Sequence, residues 1–523
     1  MYTRFLTASI YGLSGDETWV EVDCDKGLPG ISIVGLANQS IKEAKDRIHS
    51  AIVNCGFRFP QRKITVNLTP ANKQKTGSHY DLPIALGVLN SSGLIHIKNP
   101  EINANLCTAF LGELTLDGRV NQIDGALPMI IGLQKKGVKE VFLPKANIRE
   151  AVLIKNMTIY PITTLLEVVN HLVGTELIEP LNPENTKIGD LVSHKLDFCN
   201  IKGQEIVKRA AQVSAAGRHG LLMIGPPGVG KSMIGKCIPS IMPPLSYEEQ
   251  LEVTQIYSVA GELSATSPLI KERPFRAPHH SISATALIGG GVIPKPGEIS
   301  LAHKGILFLD ELPEFSVHAL DMLRQPLEDG YVSITRVNGN VVFPSSFMLV
   351  AAMNPSKCGY YGDPIKPCKC TESERKRYLG RVSGPLLDRI DIHVSLQRPI
   401  YDDISSPART GKSTADLKHG VKTAVEMQKH RFKLEFGTDN KSDNNILWNS
   451  SMDSSMINKY CSLNNECNKV MEDVFRKWAL SARSFHKILR VARTIADMNE
   501  SGDIEVNHLL EALSYRMPDQ FTS

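Results

Sequence analysis

The stretch that decides the fold of this chain is Gly225-Pro226-Pro227-Gly228-Val229-Gly230-Lys231-Ser232. It follows the apolar run 221–224, which predicts a buried strand, and it precedes residues 233–236, which can begin a helix. The glycines let backbone N–H groups turn inward around a polyphosphate at a helix N-terminus. We expect Lys231 to reach the β- and γ-phosphates and Ser232 to ligate Mg²⁺. The stretch therefore predicts an ATP-type phosphate site; a glycine-rich turn without a ligand is the alternative.

Two carboxylates follow a second apolar run. Residues 305–309 lead into Asp310 and Glu311, so both acids are expected at the carboxyl edge of a buried parallel strand. Asp310 suits the Mg²⁺ shell through water, and Glu311 suits the base that orients the attacking water. A third apolar run, 347–353, ends at Asn354, which would contact the γ-phosphate or its water. These side chains predict hydrolysis; a solvated strand end is the alternative for the two acids.

Farther along, the run 384–388 reads Gly-Pro-Leu-Leu-Asp and is followed by Arg389. A helix over this run would leave Arg389 at the edge of its module, within reach of a neighbouring subunit's γ-phosphate. An arginine supplied in this way stabilises the charge of the transition state. The predicted site has no arginine of its own beside the phosphates, which favours this role. A salt bridge to Asp388 or Asp391 is the alternative.

The composition of the whole chain limits the remaining possibilities. The 523 residues are too many for one core, and 42% hydrophobic with 22% charged residues is typical of several globular domains. Because 59 Lys and Arg barely exceed 55 Asp and Glu, a nucleic-acid site must be a local patch. Ten cysteines are too sparse for a disulfide scaffold, and no apolar run approaches the ~18 residues needed to cross a bilayer. We therefore expect a reducing, cytoplasmic environment.

Residues 1–172 predict an α+β domain. Helical spacing over 39–54 predicts a helix that Ser40 could cap, and 112–120 predicts a strand, an Asp-Gly turn and a second strand. The segment 173–196 is polar and rich in turn residues. We therefore place a linker there, before the nucleotide module.

The second half of this first domain resembles the proteolytic domain of Lon, which has a ribosomal S5 domain 2-like fold. The resemblance is most specific in two sequence motifs, Gly112-Glu113-Leu114-Thr115-Leu116-Asp117-Gly118-Arg119-Val120 and Gly137-Val138-Lys139-Glu140-Val141-Phe142-Leu143-Pro144. Where Lon carries its nucleophilic serine this chain has Asp81, and where Lon has its lysine the chain continues into Pro128. A Ser–Lys dyad needs a hydroxyl and an amine within hydrogen-bond reach. The resemblance thus implies a binding or assembly module that is not a peptidase; a shifted dyad of Ser78 and Lys75 is the alternative.

Residues 197–400 resemble the AAA+ ATPases in the order of phosphate loop, acidic strand, asparagine sensor and Leu-Leu-Asp-Arg. A long insertion separates the helix after Lys231 from the strand before Asp310, and a hairpin pattern lies between Tyr331 and Phe343. Both additions occur in the branch shared by the magnesium-chelatase ATPase subunit and MCM helicases. The run 273–315 is similar to the ComM/YifB family specifically, and that resemblance covers nearly the whole chain.

The resemblance implies an α/β P-loop core followed by a C-terminal helical lid, residues 401–523, like the C-terminal part of the chelatase subunit. Arg483, at the start of the helical pattern 480–497, matches the second sensor, a cation for the γ-phosphate of its own subunit or of a neighbouring one. ComM/YifB relatives imply a homo-hexameric ATPase that uses ATP and Mg²⁺ and drives branch migration of DNA in natural transformation. A chelatase-like ATPase that remodels a protein or assists metal insertion is the alternative.

The same resemblance supplies candidate DNA contacts. Arg336 of the hairpin and three residues of the insertion, Arg276, His279 and His280, would face a central pore and grip phosphates. Such contacts carry a strong dependence on salt. A protein that keeps its DNA affinity without the Arg336 side chain would contradict this assignment.

A possible zinc site lies on the loop that holds Cys358, Cys368 and Cys370. Structural zinc usually takes four ligands, and relatives often show another cysteine where this chain has Ser356. Asp363 or a water would complete the set; three free thiols are the alternative. Cys461 and Cys467 are interpreted as core residues.

Overall fold

A computed structural model describes residues 2–36, 38–71, 75–98, 107–154, 156–182, 196–263, 269–291, 294–336, 339–398, 412–436, 448–478 and 480–516. Over these ranges the architecture is mixed α/β, as predicted, with a seven-stranded sheet, a five-stranded parallel sheet and C-terminal helices. Within them, every helix is too short or too polar to pass through a bilayer. Most of the predicted linker, residues 183–195, and the predicted boundary at residue 400 lie outside the described residues.

The first sheet is built from the N-terminal third of the chain. The strands of this part are β1 (Tyr2–Tyr11), β2 (Ser14–Asp25), β3 (Gly30–Val34), β4 (Lys63–Thr69), β5 (Thr108–Phe110), β6 (Glu113–Leu114), β7 (Val120–Asn121), β8 (Glu140–Pro144) and β9 (Thr158–Ile162). Seven of them form one sheet in the order β3-β4-β2-β1-β5-β8-β9, and β6 pairs with β7 in a separate ladder. The predicted strands around the Asp-Gly turn therefore exist but are only two residues long.

Five helices accompany this sheet: α1 (Gln39–Asn54), α2 (Asp81–Ser91), α3 (Ala126–Lys135), α4 (Ile148–Ala151) and α5 (Leu165–Val173). Helix α1 has the predicted bounds, but its cap differs from the prediction. The N-cap residue is Asn38, whose side chain accepts the hydrogen bond from the Ile41 N–H at 3.1 Å, whereas Ser40 lies within the helix. The spacing alone did not reveal this because both residue types are good N-caps. Helix α2 is buried along its whole length.

The second sheet organises the middle of the chain. The strands of this part are β10 (Leu221–Ile224), β11 (Phe275–Arg276), β12 (Gly289–Gly290), β13 (Lys295–Pro296), β14 (Ile306–Leu309), β15 (Tyr331–Arg336), β16 (Gly339–Pro344), β17 (Met348–Met353) and β18 (Ile392–Ser395). The sheet has the order β11-β14-β17-β10-β18, and every neighbouring pair in it is parallel. The carboxyl ends of β10, β14 and β17 therefore meet at one edge, where ligands bind in open α/β sheets.

Helices cover both faces of this sheet, which explains why its strands read as continuous apolar runs. They are α6 (Glu205–Gly217), α7 (Lys231–Ile241), α8 (Tyr247–Ala260), α9 (Ala284–Ile288), α10 (Glu298–Leu301), α11 (Val317–Met322), α12 (Arg324–Asp329), α13 (Glu372–Leu379) and α14 (Gly384–Leu387). Along β10 the side chains alternate between two cores. Leu221 and Met223 pack with α6 and α7, whereas Leu222 and Ile224 pack with the residues of the insertion and hairpin.

Strands β15 and β16 form the predicted hairpin. Their antiparallel register pairs Tyr331 with Pro344 and Arg336 with Gly339. The base of the hairpin is closed by a hydrogen bond of 2.8 Å from the Ser345 N–H to the Gly330 carbonyl. The predicted turn falls partly on residues 337–338, outside the described part of the chain.

Five helices follow β18: α15 (Thr414–Phe436), α16 (Ser454–Tyr460), α17 (Asn465–Trp478), α18 (Ala482–Met498) and α19 (Val506–Ser514). The predicted loop 437–455 ends earlier than expected, because Asp453 caps α16. These helices share a core with the outer face of the second sheet. At its centre Asp497 accepts hydrogen bonds from Arg493 Nε at 3.0 Å and Asn449 Nδ2 at 2.8 Å, and it also pairs with Arg431.

The N-terminal sheet region is fastened to α8 of the middle region. The buried carboxylate of Glu150 accepts from Ser258 Oγ at 2.6 Å, from Asn147 Nδ2 at 2.8 Å and from the Leu127 N–H at 3.2 Å. The Gly125 N–H donates to the Ser258 carbonyl at 2.9 Å. The two regions thus share a hydrogen-bonded, buried contact, which no sequence motif announced.

Candidate nucleotide site

The loop between β10 and α7 has the backbone that its sequence predicts. Gly228 and Gly230 adopt φ of 80° and 92°, a region that residues with a Cβ rarely occupy. Helix α7 begins at Lys231 directly after Gly230, so its first N–H groups, which have no partner within the helix, belong to this loop. The arrangement supplies the donors and the dipole that favour a phosphate group.

A cavity of about 360 Å³ opens on this loop. It is lined by residues 227–233, by Asp310 and Glu311 at the end of β14, and by Met353 and Asn354 at the end of β17. The structure therefore brings together the predicted lysine, hydroxyl, two carboxylates and amide. Its volume lies in the range of small-molecule sites, roughly 300–1,000 Å³.

The ammonium group of Lys231 is buried and points into the loop. Its Nζ donates to the Gly225 carbonyl at 2.6 Å, to the Pro226 carbonyl at 2.9 Å and to Asn354 Oδ1 at 3.0 Å. Burial lowers the pKa of Lys231 to about 8, although Asp310 acts in the opposite direction. The amine thus stays next to the asparagine with which it is expected to share a phosphate.

A pair of hard oxygen donors lies on the opposite side of the loop. Ser232 Oγ donates to Asp310 Oδ2 at 2.5 Å, and Asp310 Oδ1 accepts from the Glu311 N–H at 3.0 Å. Hydroxyl and carboxylate oxygens are the ligands that Mg²⁺ prefers, so these residues fit the metal that accompanies nucleotides. Glu311 itself has a φ of 52°, in the left-handed region that residues with a Cβ rarely adopt, and it lines the cavity.

A histidine of the insertion contacts the proposed base. His280 Nδ1 lies 3.5 Å from Glu311 Oε2, and the ring of His280 packs against that of His279 at 4.0 Å between centroids. The sequence suggested a DNA contact for both histidines and gave no sign of their neighbourhood to the acids. Only the return of the insertion to β14 creates it.

The other two candidate DNA contacts differ in their surroundings. Arg276 Nε and Nη2 each donate to Glu298 at 2.6 Å, and its Nη1 donates to Glu262 at 3.0 Å. Its charge is therefore neutralised within the insertion. Arg336 lies exposed at the end of β15, at the tip of the hairpin.

The arginines expected to face the γ-phosphate lie together, away from the cavity. Arg389 Nη2 is 2.7 Å and Arg483 Nη2 is 2.5 Å from the same atom, Glu328 Oε1. Neither arginine is among the described residues that line the nucleotide cavity. The salt bridge that we considered for Arg389, to Asp388 or Asp391, is replaced by this one. Sequence analysis had not singled out Glu328, because it belongs to no motif.

Asp391 has a different partner, from the C-terminal helices. Lys487 Nζ of α18 lies 2.8 Å from Asp391 Oδ1, and His219 Nδ1 lies 3.3 Å from Oδ2. Burial raises the pKa of Asp391, but the charge of Lys487 and the hydrogen bond from His219 outweigh burial and hold that pKa well below its usual value. This ion pair ties α18 to the strand edge beside Arg389.

The three thiols of the cysteine loop converge, with their sulfur atoms within 4.8 Å of one another. Cys358 Sγ lies 3.4 Å from Cys368 Sγ and 3.4 Å from Ser356 Oγ. Desolvation would raise the pKa of Cys358, but hydrogen bonds from Ser356 and the backbone lower it to about 6. Asp363, which the sequence analysis considered as a fourth ligand, instead pairs with Arg398 at 2.5 Å.

This cysteine loop packs on the nucleotide loop. Gly359 has a φ of 84°, and a Cβ on it would lie 2.6 Å from Pro227 Cδ. Only glycine permits that approach. The turn that carries Cys358 therefore braces the wall of the cavity.

The positions matched to Lon's dyad hold no nucleophile. The buried carboxylate of Asp81 forms a bidentate pair with Arg47, at 2.8 and 3.1 Å, and Pro128 lies buried in α3. Ser78 Oγ donates to Glu113, while Lys75 Nζ donates to the Pro70 carbonyl. The two residues of the alternative dyad thus engage separate partners.

Comparison with known families and proteins agrees with the geometry. Residues 197–404 match the family described as magnesium chelatase, subunit ChlI; residues 20–147 match subunit ChlI of Mg-chelatase, and residues 411–516 match its C-terminal family. A chelatase subunit ChlI of Bigelowiella natans is 24% identical over 208 residues, which cover 36% of this chain and 50% of that protein.

Two longer relatives match almost from end to end. Competence protein ComM of Haemophilus influenzae is 40% identical over 513 residues, 97% of this chain and 95% of the relative. The uncharacterized protein YifB of Escherichia coli is 40% identical over 518 residues, 98% of this chain and 97% of the relative. The loop, the acids and the parallel sheet thus occur in a chain that belongs to the ComM/YifB family, whose middle region is of the magnesium-chelatase AAA+ ATPase type.

Proposed function

We propose that this chain is the subunit of a hexameric, ATP-hydrolysing ring that moves on DNA and acts as a branch-migration helicase in recombination. One observation carries the proposal. The cavity holds a lysine, a hydroxyl, two acids and an amide, but none of its described lining residues is an arginine. Arg389 and Arg483 lie side by side elsewhere, where a neighbouring copy could receive them. A ring of identical subunits completes such a site.

Each residue of the cavity has a role in this proposal. Lys231 neutralises the β- and γ-phosphates, and Asn354, which already contacts Lys231, orients the γ-phosphate or its water. Ser232 and Asp310 would hold Mg²⁺, which supplies charge neutralisation on the phosphate oxygens. Glu311 accepts the proton of the attacking water.

Two observations support DNA as the substrate: the position of Arg336 on the hairpin and the name of a relative. Arg336 is exposed at the tip of β15, and a relative that shares 40% of its residues with this chain bears the name competence protein. A cation that contacts phosphate adds to the salt dependence of binding, with a slope of roughly one per contact. We assign this role to Arg336 ahead of Arg276, whose charge is already paired.

The central experiment measures ATP turnover with forked and four-way DNA, in parallel with sedimentation of the protein with ATP. We expect a hexamer and a turnover that branched DNA stimulates. Arg336→Ala should bind DNA more weakly and with a smaller salt slope, whereas Lys422→Ala, which removes an exposed cation of α15, should not. Stimulation by a protein or a porphyrin with Mg²⁺, but not by DNA, would favour the chelatase-like alternative.

The N-terminal region is proposed to bind or assemble rather than to cleave. Its support is the pair of Asp81 with Arg47 and the burial of Pro128 at the positions of the missing dyad. Casein incubated with the protein and ATP should remain intact. Cleavage that a Ser78→Ala variant loses would instead establish the shifted dyad.

A further proposal concerns the cysteine loop. Three converging thiols form a set that fits a soft cation such as Zn²⁺, and a water would complete the four ligands, since Asp363 pairs with Arg398. Metal analysis of protein purified without chelators should find one zinc per chain, and none in Cys368→Ser. The ten free thiols, these included, also support our assignment of the protein to the reducing cytoplasm.

A further inference from the structure

Glu328 joins three separate parts of the molecule. It lies in α12, three residues before β15 begins at Tyr331. Its Oε1 contacts both Arg389, which follows α14, and Arg483 at the start of α18. Arg389 and Arg483 are also the two cations that we propose to contact the γ-phosphate bound by a neighbouring subunit. The single carboxylate of Glu328 therefore forms ion pairs with both arginines.

The carboxylate of Glu328 pairs with two guanidinium groups that could otherwise bind a phosphate. The carboxylate is 43% exposed, and the Arg389 hydrogen bond, with help from Arg483, lowers the pKa of Glu328, so it remains ionised at neutral pH. Charge-assisted bonds of this kind are stronger than neutral ones, but partial exposure weakens them. Phosphate, which carries more charge than a carboxylate, can therefore displace Glu328.

Arg389 is not fully satisfied in this arrangement. Its Nη1 donates to the Pro385 carbonyl at 2.7 Å, but its Nε is buried and has no hydrogen-bond partner among the described residues. A buried donor without a partner costs free energy. The guanidinium thus gains by moving to an acceptor that uses all of its donors, which the oxygens of a phosphate provide.

We propose that Glu328 is a positioning residue that holds Arg389 and Arg483 out of action until a neighbouring subunit presents ATP. Since α12 runs directly into the hairpin, a shift of the hairpin on its DNA moves Glu328 and releases both arginines together. The role of the two arginines in this inference rests on the proposed function. The new element is Glu328, which links the hairpin to both arginines.

The test compares Glu328→Gln with Asp329→Asn, a matched loss of charge at the next position of the same helix. Without DNA, Glu328→Gln should raise kcat by about three- to tenfold, as expected for loss of two partly exposed charged contacts. KM for ATP should stay unchanged, because the residue does not touch the cavity, and stimulation by DNA should shrink by the same factor. Asp329→Asn should behave as the wild type.

A second arm shows whether the effect passes through the arginine. In an Arg389→Ala background, Glu328→Gln should no longer raise kcat. An unchanged or lower kcat for Glu328→Gln with wild-type thermal stability would overturn the proposal, as would an increase that persists without Arg389. If Glu328→Gln is unstable, Glu328→Ala provides the same comparison. Because basal turnover is read without DNA, a protein that DNA never stimulates would contradict the proposed function but still test Glu328.

Discussion

At the scale of single residues, the titration of Lys231 should limit nucleotide binding. Its ammonium form attracts phosphate, and burial lowers its pKa to about 8, so the charge is lost as the pH rises through that value. We expect the dissociation constant of an ATP analogue to be flat below pH 7.5 and to increase up to tenfold per pH unit above about pH 8.

Equilibrium titrations between pH 7 and 9.5 measure this dependence. Lys231→Arg should bind more weakly but show no such rise, since arginine keeps its charge throughout. Affinity of the wild type that does not change up to pH 9.5 would mean that another group supplies the positive charge.

The roles proposed for the two acids after β14 can be separated by mutation. Glu311→Gln removes the proposed proton acceptor but leaves Asp310 bonded to Ser232. The variant should therefore bind ATP normally and turn it over at least about 100-fold more slowly. The control is Glu314→Gln, three residues on, whose carboxylate pairs with the exposed Arg381. Turnover within twofold of the wild type in Glu311→Gln would assign the base elsewhere.

The difference between what the sequence predicted and what it did not lies in distance along the chain. The loop at 225–232 is a local motif, whose glycines and lysine can be recognised without any tertiary contact. The bond between Arg483 and Glu328 joins residues 155 positions apart, and no spacing rule connects them. The same holds for His280 and Glu311, which meet only because the insertion returns to the sheet.

At the scale of elements, α18 is held to the second sheet by a buried ion pair. Removing one partner from such a pair leaves an uncompensated charge, at a cost of about 3–5 kcal/mol. We therefore expect Lys487→Met to lower the free energy of unfolding by this amount at neutral pH, measured by urea denaturation, whereas Lys422→Met should change it little.

The same ion pair gives a pH dependence of known sign. Because the pKa of Asp391 is held below its unfolded value, its stabilising contribution is present above about pH 4 and is lost as the pH falls further. The loss in free energy of unfolding caused by Lys487→Met should accordingly become smaller in strong acid. A deficit of equal size at pH 7 and pH 2 would show that the methionine acts through packing.

Most elements followed from periodicity, and their exceptions have physical causes. Runs 347–353 and 221–224 became buried parallel strands because both faces of the sheet are covered. Strand β1 was not predicted, because its mainly buried side chains do not alternate with solvent-exposed ones. A pattern that is apolar on both faces does not by itself distinguish a strand from a helix.

At the scale of the whole molecule, a site shared between copies predicts complementation. Lys231→Ala and Arg389→Ala should each be inactive alone. In a randomly mixed ring, about a quarter of the sites combine an intact lysine with an intact neighbouring arginine, so an equal mixture should recover about that fraction of turnover. A mixture as inactive as its components would place both residues in one copy's site.

The Glu150 contact has a practical consequence for dissecting the protein. Cutting away the first 172 residues to obtain a smaller motor would remove the carboxylate that accepts from Ser258 and uncover the flank of α8 on which Gly125 rests. The remaining fragment would expose a formerly buried surface beside the insertion. Truncation at that site should therefore give insoluble protein rather than a working fragment.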